Sequence, residues 1–97
     1  MFDKLKELMQ LKSRMEEIKR QLDSETVEAS SSDGSVYVKM NGSQEVKEWR
    51  FKTDIKSANP EKLEKAALET VNRAIKLSQQ LAAKKMGEVT GMQLPGM

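Results

Sequence analysis

There is no cysteine and no histidine anywhere in the 97 residues. The first absence excludes disulfides and thiolate metal sites, and fits a reducing compartment. The second removes the side chain that most often serves as general base or metal ligand near neutral pH. Aromatic residues are scarce at 4%, so any core is thin. Long apolar runs are missing too: no segment approaches the ~18 consecutive apolar residues of a membrane span. The N-terminus carries Asp3, Lys4, Lys6 and Glu7 where a signal peptide would be apolar. The chain therefore reads as soluble, inside the cell and away from the membrane. Charge of one sign is also lacking. A third of the residues are charged, yet the net charge is only +2, so binding to a polyanion would depend on where the bases sit.

The catalytic inventory is equally poor. Ser30, Ser31 and Ser32 have no imidazole to activate them, Glu16 and Glu17 diverge on a helix, and no glycine-rich phosphate loop occurs. These gaps argue against an enzyme, a cofactor, a metal or a small-molecule substrate.

What is present is organised around residues 35–52. Val36, Val38 and Met40 alternate with Tyr37, Lys39 and Asn41, the period of a half-buried strand. Asn41-Gly42 follows, both tolerant of positive φ, as a tight hairpin turn requires. The returning strand places Trp49 and Phe51 on one face and Glu48, Arg50 and Lys52 on the other. Val46 is out of phase with them, so it either faces outward or is reset by a bulge. Before the hairpin, residues 25–30 read as a short strand and Ser31-Ser32-Asp33-Gly34 as a turn. The three strands make an antiparallel meander.

Helices flank it. Phe2 to Asp23 carries Leu8, Leu11, Met15, Ile18 and Leu22 at alternating spacings of three and four, a seam widened by Leu5 and Met9. Asn59-Pro60 starts the second helix, with Asn as N-cap and Pro at the first helical position. Its apolar ridge is Leu63, Ala67, Val71, Ile75, Ser78, Ala82 and Met86, broadened by Ala74 and Leu81, and Gly87 is its natural stop. The expected organisation is one α+β domain over residues 1–87 followed by a flexible tail, 88–97, with Gly91, Pro95 and Gly96.

Lengths then predict a dimer. At ~1.5 Å per residue the helices span about 33 Å and 40 Å, whereas a seven-residue strand spans about 23 Å. Both apolar seams overhang the sheet, and a small sheet has free edges. A two-fold dimer, joined at the sheets with helical arms projecting, covers both.

Bases recur along the second helix. Lys62, Lys65, Glu69, Arg73, Lys76, Gln80 and Lys84 share a face opposite Ala67, Val71 and Ile75, and Lys85 extends the cluster. Such a face is either an ordinary solvated surface or a ridge that contacts phosphates. On the first helix Lys12, Lys19 and Arg20 are interleaved with acids, and a dimer could bring them beside the ridge.

The order helix, three strands, long helix, short tail resembles the YbaB/EbfC family of nucleoid-associated DNA-binding proteins. The matching pieces are Met1-Phe2 before a Leu/Met-rich helix, Val36-x-Val38-x-Met40-Asn41-Gly42, Asn72-Arg73-Ala74 in the second helix, and Gly91-Met92-Gln93-Leu94-Pro95-Gly96. The resemblance implies a tweezer-like homodimer, in the cytoplasm on the nucleoid, that binds duplex DNA without enzymatic activity. It selects the phosphate-contacting reading of Lys62, Lys65, Arg73, Lys76, Lys84 and Lys85, with Lys12, Lys19 and Arg20 beside them. The expected function is low-specificity DNA binding that organises the bacterial chromosome and influences gene expression. The rival is a chaperone-like or scaffolding clamp that grips a protein or peptide through its apolar seams.

Overall fold

A computed structural model describes residues 2–90, and the side chains of 3–88. Its elements are α1 (Phe2–Ser24), β1 (Thr26–Ser30), β2 (Val36–Asn41), β3 (Val46–Phe51) and α2 (Pro60–Thr90). The strands pair antiparallel in the order β1-β2-β3, so the fold is the helix, meander and long helix expected of the α+β class. Asn59 starts α2 as anticipated: its Oδ1 accepts from the backbone N–H groups of Glu61 at 2.9 Å and Lys62 at 3.2 Å.

The core is small. Ala29, Val36, Val38 and Met40 on the sheet are buried against Ala66 and Ala74 of α2. Leu63, Val71, Ile75 and Leu77 close its margins. The closest line of α2 differs from the expected ridge by one residue: Ala66, Thr70, Ala74 and Ser78 are the buried ones. Small side chains let the helix backbone approach the strands, and the bulkier Leu63, Val71 and Ile75 flank that line. The two hydroxyls are satisfied without solvent. Thr70 donates to the carbonyl of Ala66 at 2.7 Å, and Ser78 donates to the carbonyl of Asn41 at 2.8 Å.

The phase problem at Val46 is resolved by a bulge. Val38 faces Trp49 and Lys39 faces Glu48, but Met40 faces Val46, so Lys47 is the extra residue. Val46, Trp49 and Phe51 thereby share the apolar face with Met40, Val38 and Val36. α2 packs on β1 and β2 and leaves this third of the face bare. Trp49 is 40% exposed and leans on Phe51, with ring centroids 6.1 Å apart.

The hairpin turn departs from expectation in its backbone. The left-handed residue is Gln44 (φ 63°), not Gly42. Gly42 is required for space instead. A Cβ there would fall 2.6 Å from Leu22 Cδ2 and 3.1 Å from the Leu22 carbonyl oxygen. The Gly42 N–H donates to that same carbonyl at 2.8 Å. Asn41, fully buried, completes the joint. Its Nδ2 donates to the carbonyl of Asp23 and to Glu45, and its Oδ1 accepts from the N–H groups of Ser43 and Glu45.

Beyond this joint both helices leave the sheet. Ile18 is buried and Leu22 half-buried, but Leu5, Leu8, Met9, Leu11 and Met15 are exposed, so the N-terminal half of the α1 seam is not core within the chain. α2 does not stop at Gly87 but continues to Thr90, since a single glycine lowers helix stability by only ~1 kcal/mol. The first residues of the expected tail are therefore helical, and its remainder, 91–97, lies outside the described residues.

The two glycines should respond oppositely to alanine. Gly42→Ala is expected to cost about 1–3 kcal/mol, because the added methyl meets the end of α1. Gly87→Ala meets no atom within 4 Å and should instead stabilise by up to ~1 kcal/mol. Urea unfolding followed by circular dichroism measures both. Equal effects would show that Gly42 is not held against Leu22.

Candidate nucleic-acid interface

The nine bases singled out in the sequence are divided by the fold into two sets. Lys62, Lys65, Arg73 and Lys76 lie along the part of α2 that crosses the sheet. Lys84 and Lys85, with Lys12, Lys19 and Arg20 of α1, lie on the projecting arms. Lys65, Glu69 and Arg73 immediately precede Ala66, Thr70 and Ala74. At ~100° per residue they flank the buried line rather than back it. These three therefore run along one side of α2, next to the β1–β2 turn, whereas Lys76, two residues from both Ala74 and Ser78, lies on the side away from the sheet.

That proximity engages two ridge residues. Arg73 donates from Nη1 to the carbonyl of Ser30 at 2.6 Å and from Nη2 to Glu69 at 3.0 Å. Glu69 in turn accepts from the backbone N–H of Ser32 at 3.1 Å and from the Ser32 hydroxyl. The Ser32 hydrogen bonds, aided by the Arg73 charge, hold the Glu69 carboxyl below its ordinary pKa. Glu69 is thus the clasp that ties α2 to the turn, with Arg73 as its second arm. The turn itself is built on Asp33, whose Oδ1 accepts from the Ser35 N–H at 3.0 Å and from the hydroxyls of Ser31 and Ser35 at 2.7 Å. These donors stabilise the charged form and bring the Asp33 pKa from 3.8 down to about 2.

Lys85 is engaged as well. It is only 17% exposed and pairs with Glu25 at 2.9 Å and Glu88 at 4.0 Å, which raises its pKa. It joins the end of α2 to the chain leaving α1. The other seven, Lys12, Lys19, Arg20, Lys62, Lys65, Lys76 and Lys84, are exposed and form no ion pair among the described residues. An exposed, unpaired ammonium or guanidinium is what a phosphate can use. Lys4, Lys6 and Arg14 on α1 share that condition, and counting bases along the apolar seam would have found them. The clasp from Ser32 to Glu69 spans 37 positions and has no local sequence signal.

The open face of the sheet carries a separate polar cluster. Tyr37 donates to Glu28, which pushes the phenol up to about 12, and Lys52 lies 4.9 Å above its ring. Arg50 pairs with Glu48 at 2.7 Å. Arg50 is thus paired with an acid, whereas Lys52 keeps its charge above the ring. Among the described residues no acidic cluster is placed to hold a metal ion, and no helix is long and apolar enough to cross a membrane.

Comparison with known proteins places this arrangement. The sequence profile of the YbaB/EbfC DNA-binding family matches residues 1–93. A nucleoid-associated protein of Syntrophobacter fumaroxidans is 33% identical, covering 99% of this chain and 89% of the relative. One from Gluconacetobacter diazotrophicus is 36% identical over 94% of this chain and 87% of its own length. One from Alkaliphilus metalliredigens is 30% identical, over 96% and 83% respectively.

The turn makes an acid-pH prediction. Asp33 has a lowered folded pKa, so its contribution to stability is complete above about 3.8 and is lost as pH falls through about 2. Carboxyl NMR should find its titration midpoint near the lower value. Asp33→Asn should be less stable than the parent at neutral pH, with the difference shrinking below pH 3.8. A midpoint at the ordinary value would mean that the turn is open in solution.

Proposed function

The chain belongs to the YbaB/EbfC DNA-binding family, and from that premise we propose that it acts as a homodimer that binds duplex DNA with low sequence specificity. In this reading it works in the cytoplasm on the nucleoid, helps organise the bacterial chromosome and thereby influences gene expression. No catalytic step is involved. The observation that carries the dimer is the bare third of the sheet. Val46, Trp49 and Phe51 continue the apolar face of β2 out to an edge strand with unpaired backbone groups. A second copy joined there by a two-fold axis covers both the side chains and the edge, and leaves four helical arms projecting like tweezers.

Phosphate contacts supply the affinity. Lys62, Lys65 and Lys76 beside the sheet, and Lys84, Lys12, Lys19 and Arg20 on the arms, are the contact residues in this reading. Arg73 and Lys85 brace the elements that hold them. Six of the seven contact residues are lysines, point charges that suit phosphate better than bidentate base readout, so in this reading the binding is to shape and charge. A second reading, a helical clamp for a protein or peptide, draws on the exposed seam of α1. It requires an apolar cleft that stays open in the dimer.

Gel-shift titration with duplex DNA tests the DNA reading. Log affinity should fall linearly with log salt, with a slope of about −0.9 per phosphate neutralised. Lys65→Ala and Lys76→Ala should each weaken binding to all duplexes alike and reduce the slope by about one. Binding that is insensitive to salt would refute it. For the dimer, light scattering should give twice the chain mass, and Phe51→Asp should halve it. The single tryptophan, Trp49, should shift its emission to the red on dilution in step with that dissociation.

A further inference from the structure

The seam of α1 is divided by the fold at about Met15. Written as a heptad, Leu8, Met15 and Leu22 occupy a positions, and Leu11 and Ile18 occupy d positions. Ile18 and Leu22 are used inside the chain, where Leu22 meets Gly42. Leu8 (63% exposed), Leu11 and Met15 continue the same seam with no cover from any described element. Glu88, near the described end of α2, lies level with Arg14 and Glu17, so the stretch before Arg14 runs on beside no described helix. A heptad seam that is half used takes another helix of the same kind.

We infer that the α1 arms of two copies pair antiparallel over residues 4–15, in addition to the contact proposed at β3. The flanking charges select both the occupant and its direction. The g positions are Glu7 and Arg14, and in an antiparallel self-pair g faces g. Glu7 of each copy then meets Arg14 of the other, twice about the two-fold axis. Leu8 of each copy meets Leu11 of the other, also twice. Met15 meets the aliphatic stem of Lys4, and Leu5 that of Lys12. Glu7 and Arg14 are exposed and have no ion-pair partner within the described chain. A parallel pair is disfavoured on two counts. It would set Arg14 against Lys19, a like-charge contact. It would also bring Ile18 and Leu22 together, although both are already packed in their own chain.

The overlap is short, about 18 Å at 1.5 Å per residue, so the contact is weak and acts where copies are concentrated. A chain with two different two-fold contacts assembles beyond the dimer, either into a closed tetramer or into an open row.

Charge reversal tests the pairing by sedimentation at rising concentration. Glu7→Arg and Arg14→Glu should each reduce the limiting mass, by half from a closed tetramer and down to the dimer from an open row, and the double reversal in one chain should restore it. This criterion does not depend on the β3 contact. If that contact fails, the parent reaches two chains and the single variants one. If it holds, they reach four or more and two. An unchanged mass in the single variants, or no rescue in the double, overturns the inference. An unchanged mass is also what cover by residues 91–97 or by a different protein would give. Because the chain has no native cysteine, orientation can be read directly. The variant with both Glu7→Cys and Arg14→Cys should cross-link between copies on oxidation. Cross-linking of the variant with Glu7→Cys and Lys12→Cys instead would mean a parallel pair and would equally overturn the inference. Circular dichroism should be unchanged in all of these variants, since the substituted side chains are exposed.

Discussion

Everything in this fold converges on the joint at Asn41-Gly42. The Gly42 N–H is held by the last turn of α1, the Asn41 amide by Asp23 and Glu45, and the Asn41 carbonyl by Ser78 of α2. Three elements distant in sequence are thus fastened through one buried asparagine and one glycine that could carry no side chain. A buried amide with all its partners satisfied specifies geometry as well as stability, because any other arrangement leaves polar groups unpaired. The joint fixes where α1 departs and where α2 crosses, and so sets the direction of both arms.

At the other end of the sheet the attachment is electrostatic and exposed. Glu69 and Arg73 fasten α2 to the β1–β2 turn through Ser30 and Ser32. Along the line of closest approach Ala66, Thr70 and Ala74 give proximity but little apolar area, and Leu63, Val71, Ile75 and Leu77 cover only the margins. A core this small leaves the third strand bare and the arms uncovered. The uncovered surfaces are the ones that both proposed contacts use, so the thinness of the core and the proposed assembly have one cause.

The architecture was legible in the sequence because each element carried its own signal. Alternation marked β2, Asn59-Pro60 marked the start of α2, and the unbroken seam marked α1. What could not be read depended on distant neighbours. Nothing local distinguishes a glycine needed for φ from one needed for space, so Gly42 was credited with the conformation that Gln44 adopts. The ridge of α2 was centred on Leu63, Ala67, Val71 and Ile75, whereas close approach selected Ala66, Thr70 and Ala74 one step round. That shift of one residue moved Lys65, Glu69 and Arg73 from the back of the helix to its flank. It also turned Arg73 from a free base into a brace. Seven of the nine candidate bases remained exposed and unpaired, because lysines on an amphipathic helix stay in water whichever way the helix is turned by one step.

The hydrogen bond from Ser78 to Asn41 has a mechanical meaning. It is the last hydrogen bond from α2 to the sheet among the described residues, and twelve residues follow it to Thr90, about 18 Å of helix. The arm is a lever with its fulcrum at that bond, stiffened by the Lys85–Glu25 strut to α1. A tilt of about 10° at the fulcrum moves the tip by roughly 3 Å on this length. That travel is comparable to the spacing between successive phosphates of one strand, ~3.4 Å along the duplex axis. A lever of this reach can follow changes in groove width from one sequence to the next while its hydrogen bonds stay in place. In the proposed DNA reading, tolerance of sequence would then be a matter of compliance at one pivot rather than of missing contacts.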